Sequence, residues 1–93
     1  MNIRLPFPRR SVASRGRAIY MEKIRPHVYP QQIGTVIIID VRSGDYEVST
    51  GPMDQVPALD RLRERRPDAL IWRKRVGYQT VAGFGGLRVD KDG

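Results

Sequence analysis

Thr35-Val36-Ile37-Ile38-Ile39-Asp40-Val41 leads through Arg42-Ser43-Gly44-Asp45 into Tyr46-Glu47-Val48-Ser49, and the fold turns on how this stretch is read. A β-branched run followed by Ser-Gly-Asp predicts a β-hairpin. Successive side chains of a strand point to opposite faces, so Val36 and Ile38 face one way and Ile37, Ile39 and Val41 the other. A strand with one wet face alternates between apolar and polar residues, and this one does not. Both sides of the sheet therefore need a cover.

Ninety-three residues make one domain, near the small end of what a hydrophobic core alone holds together. With no cysteine there is no disulfide framework, no thiolate zinc site and no cysteine nucleophile, which points to a reducing cytoplasm. The longest apolar run is far short of the ~20 residues that span a bilayer. The first twenty residues hold arginines but no apolar segment of the kind an export signal needs, so no membrane is expected.

The net charge of +7 is unevenly spread. Residues 1–30 carry seven basic side chains against one acid, residues 31–60 one against five, and residues 61–93 nine against four. An acidic hairpin thus sits between two basic flanks. Such a distribution marks a nucleic-acid surface or a solubilising one.

Outward from the hairpin, residues 1–16 are rich in Pro, Arg and Ser without a period and predict a flexible basic arm. Arg17–Arg25 predicts a short helix with Tyr20 and Ile24 on its apolar side, stopped by Pro26, and His27-Val28-Tyr29 predicts an extended linker. After the hairpin, Asp54–Arg66 predicts a helix with Asp54 as N-cap, Pro57 in the first turn, and Val56, Leu59 and Leu62 as its buried stripe. Ala69–Val76 predicts a third strand, with Leu70, Trp72, Lys74 and Val76 on one face and Ile71, Arg73 and Arg75 on the other. Trp72 is expected beneath Leu59 and Leu62. Gly77-Tyr78 turns into a fourth strand over Gln79–Phe84, and residues 87–93 are expected to fray. The fold class is α+β. It is a two-layer ββαββ unit over residues 17–86, with a small antiparallel-rich sheet and one packed helix, preceded by the short helix and the arm.

No catalytic constellation emerges. His27, the lone histidine, has no carboxylate near it in sequence and reads as a solvated or packing residue. Asp40, Asp45 and Glu47 gather at the hairpin but lack the ligand count of a cation site, and Ser-Gly-Asp is ordinary turn chemistry. Gly83-Phe84-Gly85-Gly86 lacks the Lys-Ser/Thr and the helix that a phosphate loop requires. No catalytic residue, cofactor, metal or small-molecule substrate is expected.

Gly34-Thr-Val-Ile-Ile-Ile-Asp-Val-Arg-Ser-Gly-Asp-Tyr-Glu-Val48, Leu59-Asp-Arg-Leu-Arg-Glu-Arg-Arg-Pro-Asp-Ala69, Arg75-Val-Gly-Tyr78 and Gly85-Gly86 together resemble a family of small bacterial proteins common in cyanobacteria. The resemblance covers residues 17–86, and Val56-Pro57 and the first sixteen residues depart from it. It implies an antitoxin-like component of a two-gene module, and it brings no active-site residue with it.

Two functions follow. In the first, the domain is a non-enzymatic module that binds a protein partner, or a second copy, through an apolar sheet face of Ile37, Ile39, Val41 and Ile71, clasped by Tyr20 and Ile24. In the second, the chain binds nucleic acid through Arg9, Arg10, Arg15 and Arg17 of the arm and helix and through Arg73 and Arg75 of the third strand. The sequence holds no groove-recognition motif and no single-strand platform signature.

Overall fold

β1 (Val36–Asp40) is the centre of a three-stranded antiparallel sheet, flanked by β2 (Tyr46–Val48) and β3 (Ile71–Arg75) in the order β2-β1-β3. The computed structural model describes residues 9–81 and 84–88. Before β1 run α1 (Arg9–Ile19), a π-helical turn (Tyr20–Ile24) and α2 (Arg25–Val28). A 3-10 turn (Pro52–Asp54) leads into α3 (Gln55–Arg65), and β4 (Tyr78–Val81) and β5 (Phe84–Arg88) follow β3. The molecule is a small α+β protein.

Ile37, Ile38 and Ile39 are all fully buried, as a strand covered on both faces requires. Ile38 packs with Ala58 and Leu62 of α3, joined by Val36, Leu59 and Ile71. Ile37, Ile39 and Val41 pack with Tyr20, Ile24, Val28 and Val76, joined by Val12, Ile19 and Trp72. Each such isoleucine contributes roughly 1.5–3 kcal/mol by leaving water. The helical segment before the sheet fills the second face.

That segment begins earlier than the sequence predicts. Residues 9–16, expected in a flexible arm, are the first turns of α1. The reason is Gly16, which is buried against Trp72: a Cβ there would lie 2.5 Å from the indole ring. The stripe Val12, Gly16, Ile19, Tyr20, Ile24 has helical spacing, but its contact with Trp72 is made by a residue that has no side chain. Pro26 does not stop the helix either. Arg25 N–H reaches back to the Tyr20 carbonyl across the wider π turn, and Pro26 then sits in the first turn of α2, where its missing donor costs little. His27 and Val28 are therefore helical, and Val28 enters the core.

On the other side of the sheet, Val56 is 66% exposed and the buried residues of α3 are Ala58 and Leu62, a stripe rotated from the expected one. Asp54 occupies the N-cap position without capping. Its carboxylate accepts from Thr50 N–H and from Arg61 instead. Ile38 pairs with Arg73, Ile39 with Trp72 and Asp40 with Ile71. Directly paired residues share a face, so Trp72 lies under α1 and not under Leu59 and Leu62, while Ile71 lies on the α3 side, apart from Ile37, Ile39 and Val41.

The four strands of the expected ββαββ sheet do not join. β4 pairs with β5, which includes Leu87 and Arg88 of the expected tail and the backbone of Gly85-Gly86. Residues 1–8, 82–83 and 89–93 lie outside the described residues, and with them parts of the expected arm, fourth strand and tail.

Asp40, 2% exposed, ties the hairpin loop to β3. Its carboxylate accepts from Arg42 N–H at 3.0 Å, Ser43 Oγ at 2.6 Å and Leu70 N–H at 2.9 Å. Burial pushes this carboxyl up, but the hydrogen bonds from Ser43, Leu70 and Arg42 together carry it below the usual range. Gly44, at φ +84°, closes the loop by donating to the Asp40 carbonyl at 2.8 Å.

Candidate nucleic-acid interface

The carboxylates of the acidic hairpin face α3. Arg61 Nε lies 2.8 Å from Glu47 and its Nη2 lies 3.0 Å from Asp54. Arg65 bridges Asp45 at 3.0 Å and Glu47 at 2.7 Å, and Arg66 reaches Asp45 at 3.4 Å. Arg61, aided by Thr50 N–H, lowers the Asp54 carboxyl to about 2. Arg65 holds Asp45 below its ordinary value, and Glu47 is lowered by Arg61 and Arg65 against the upward push of its own burial. Between described residues, every ion pair joins α3 or Arg66 at its end to Asp45, Glu47 or Asp54. These carboxylates are therefore engaged by arginines and not arranged around a cation.

Of the cations outside this network, Arg17, Arg25, Arg73, Lys74 and Arg75 lie about β3, the edge strand on the far side of β1 from the hairpin, while Lys23 and Arg42 lie by the hairpin loop and Arg63 on α3. Arg73 and Arg75 are exposed and lie opposite Ile38 and Val36, on the face where α3 contacts β1 and β2. The guanidinium of Arg75 lies over the Tyr78 ring, 5.2 Å from its centroid. On the other face Lys74 is 2% exposed, donates from Nζ to the Tyr78 carbonyl, and stands 5.3 Å from the centroid of Tyr20. Burial, and then the nearby charges of Arg17 and Arg25, push Lys74 down to about 8. Arg25 lies over Tyr29 at 4.2 Å, and its Nε is buried without a hydrogen-bond partner among the described residues.

The structure thus brings Arg17, Arg73 and Arg75 of the expected nucleic-acid residues to the two faces of one strand. Arg15 is placed elsewhere, reaching toward the Val41 carbonyl at 3.4 Å by the hairpin loop. The backbones of Arg9 and Arg10 open α1, and their side chains lie outside the described residues. Sequence reasoning missed Arg25 and Lys74. The Arg25–Tyr29 spacing of four residues in a helical segment was the available signal, and the linker reading of residues 27–29 obscured it.

The expected partner face has a different fate. Ile37, Ile39, Val41, Tyr20 and Ile24 are each 0% exposed, and Ile71 is half-buried beside α3. The chain fills this face from within, so its apolar residues are not presented to another molecule. His27 is exposed on α2. Among the described residues no helix is long and apolar enough to cross a membrane, and no group of three His, Cys, Asp or Glu is placed to hold a metal ion.

No family model, no curated protein and no solved structure matches the chain.

Proposed function

We propose that this protein is a non-enzymatic nucleic-acid-binding module whose working surface is the cationic margin around β3. One observation carries the reading. The acids of the hairpin are neutralised by Arg61, Arg65 and Arg66, while Arg17, Arg25, Arg73 and Arg75 border β3 outside that network. In a chain of net charge +7, these four arginines give β3 a positive field on both of its faces. A polyanion that neutralises such a field releases counterions, and binding then weakens linearly in log salt.

Fluorescence anisotropy with a labelled single-stranded oligothymidylate and a labelled duplex, titrated between about 50 and 200 mM salt, tests this. The expected result is binding to at least one of them that falls steeply as salt rises. Absence of binding to both at the lowest salt overturns the proposal.

A further inference from the structure

The outer edge of β3 carries more than charge. Val41 N–H donates to the Leu70 carbonyl and Val76 N–H to the Thr35 carbonyl. Because bonded and non-bonded pairs alternate along an antiparallel ladder, Trp72 and Lys74 turn their backbone groups toward β1. Ile71, Arg73 and Arg75 turn theirs outward, and no strand pairs with them among the described residues. Such an edge is a template for another chain. A second copy of this protein pairing there about a two-fold axis would bring Arg73 and Arg75 close to the same arginines of the other copy, so the charge that borders the edge disfavours self-pairing and favours an anion.

Guanidinium–aromatic stacks occur in the molecule, and that of exposed Arg75 adjoins the edge. Arg75 is laid over Tyr78, and Arg25 over Tyr29. A guanidinium held against an aromatic ring offers a planar face on which an unpaired base stacks, which a base enclosed in a duplex does not use. Beside Arg75, between the start of β1 and the first turn before α3, lies a hollow of about 290 Å3 lined by Ile33, Val36, Ser49, Pro52 and Gln55 among others. Its mixed apolar and polar walls suit a base turned out of a strand. Arg73 and Arg75, two residues apart along β3, are separated by about 6.6 Å of strand rise, close to one nucleotide of an extended single strand.

We infer that the β3 edge is a line of contact for single-stranded nucleic acid, with Arg73 and Arg75 holding successive phosphates, the outward N–H groups of Ile71, Arg73 and Arg75 donating to phosphate oxygens, and the Arg75–Tyr78 stack offering a face to a base. This rests on the nucleic-acid reading above and narrows it to one strand and one ligand form.

The test compares the full chain with R73Q/R75Q and with R42Q/R63Q, a pair of exposed arginines away from the β3 edge. Labelled oligothymidylate and a duplex of equal length are titrated at about 100 mM salt, and amide hydrogen exchange is followed with and without oligothymidylate. The inference expects oligothymidylate to bind more tightly than duplex, R73Q/R75Q to lose about tenfold or more in affinity, and R42Q/R63Q to lose about threefold or less. It also expects slower exchange at the amides of Ile71, Arg73 and Arg75 on binding. Equal losses in the two variants, tighter binding of duplex, or unchanged exchange along β3 overturns the inference while leaving nucleic-acid binding in place. No binding of either nucleic acid by the unaltered chain overturns both.

Discussion

Gly16 meets the Trp72 ring with no room for a methyl group, and that contact sets how closely α1 lies on β3. Alanine is ordinarily better than glycine inside a helix by about 1 kcal/mol. Here the sign reverses: Gly16→Ala is expected to destabilise the fold by roughly 1–3 kcal/mol through overpacking, read as a lower midpoint in urea. A stabilised variant contradicts the placement of α1. Lys74 gives a second residue-level test. Its folded pKa is lowered from 10.5 to about 8, so between those values the unfolded chain binds more protons and stability rises with pH, whereas below about 8 the charged form carries its full burial penalty. Urea unfolding at pH 7 and pH 9.5 is expected to show a gain on the order of 1–2 kcal/mol that Lys74→Met removes. The same gain in both proteins contradicts a buried lysine. The alternation of β3 made Trp72 legible as core and put it on one face with Lys74, but the face itself depends on register with β1, which a single strand's pattern does not contain.

At the level of elements, the hairpin and α3 follow from local chemistry: β-branched residues around a Ser-Gly-Asp loop, and a proline-bounded amphipathic run ending in arginines. The departures lie where tertiary contact overrides local preference. Gly16 and Pro26 both read as poor helix residues, yet one allows close approach to Trp72 and the other follows a π turn that relieves its missing donor. The rotation of α3 has a similar origin, since Ala58 permits the helix to sit closely on Ile38 while Val56 is left outside. If α1 and the π turn are one face of the core, deleting residues 1–24 exposes Ile37, Ile39, Val41 and Trp72 together. The truncated chain is expected to lose cooperative unfolding and to associate, visible as a broadened thermal transition and a larger species in light scattering. A monomer with the full-length transition contradicts the account of the second core layer.

For the whole molecule, the charge blocks were legible from composition, but their meaning was not. Only the geometry separates arginines already matched to Asp45, Glu47 and Asp54 from those that border β3, because that division depends on which residues of α3 meet the hairpin. The apolar face that made a protein partner attractive was equally a consequence of sequence alone, and α1 satisfies it within the chain. The remaining surface with a clear chemical preference is cationic, aromatic-backed and strand-shaped. On the proposed reading, Arg73 and Arg75 each hold a phosphate. The most direct measurement is therefore the slope of log affinity against log salt for oligothymidylate, in the unaltered protein and in R73Q/R75Q. Two lost contacts at about 0.7 each on a single strand predict a slope shallower by about 1.4 in the variant. Parallel slopes would mean that these arginines do not touch phosphate.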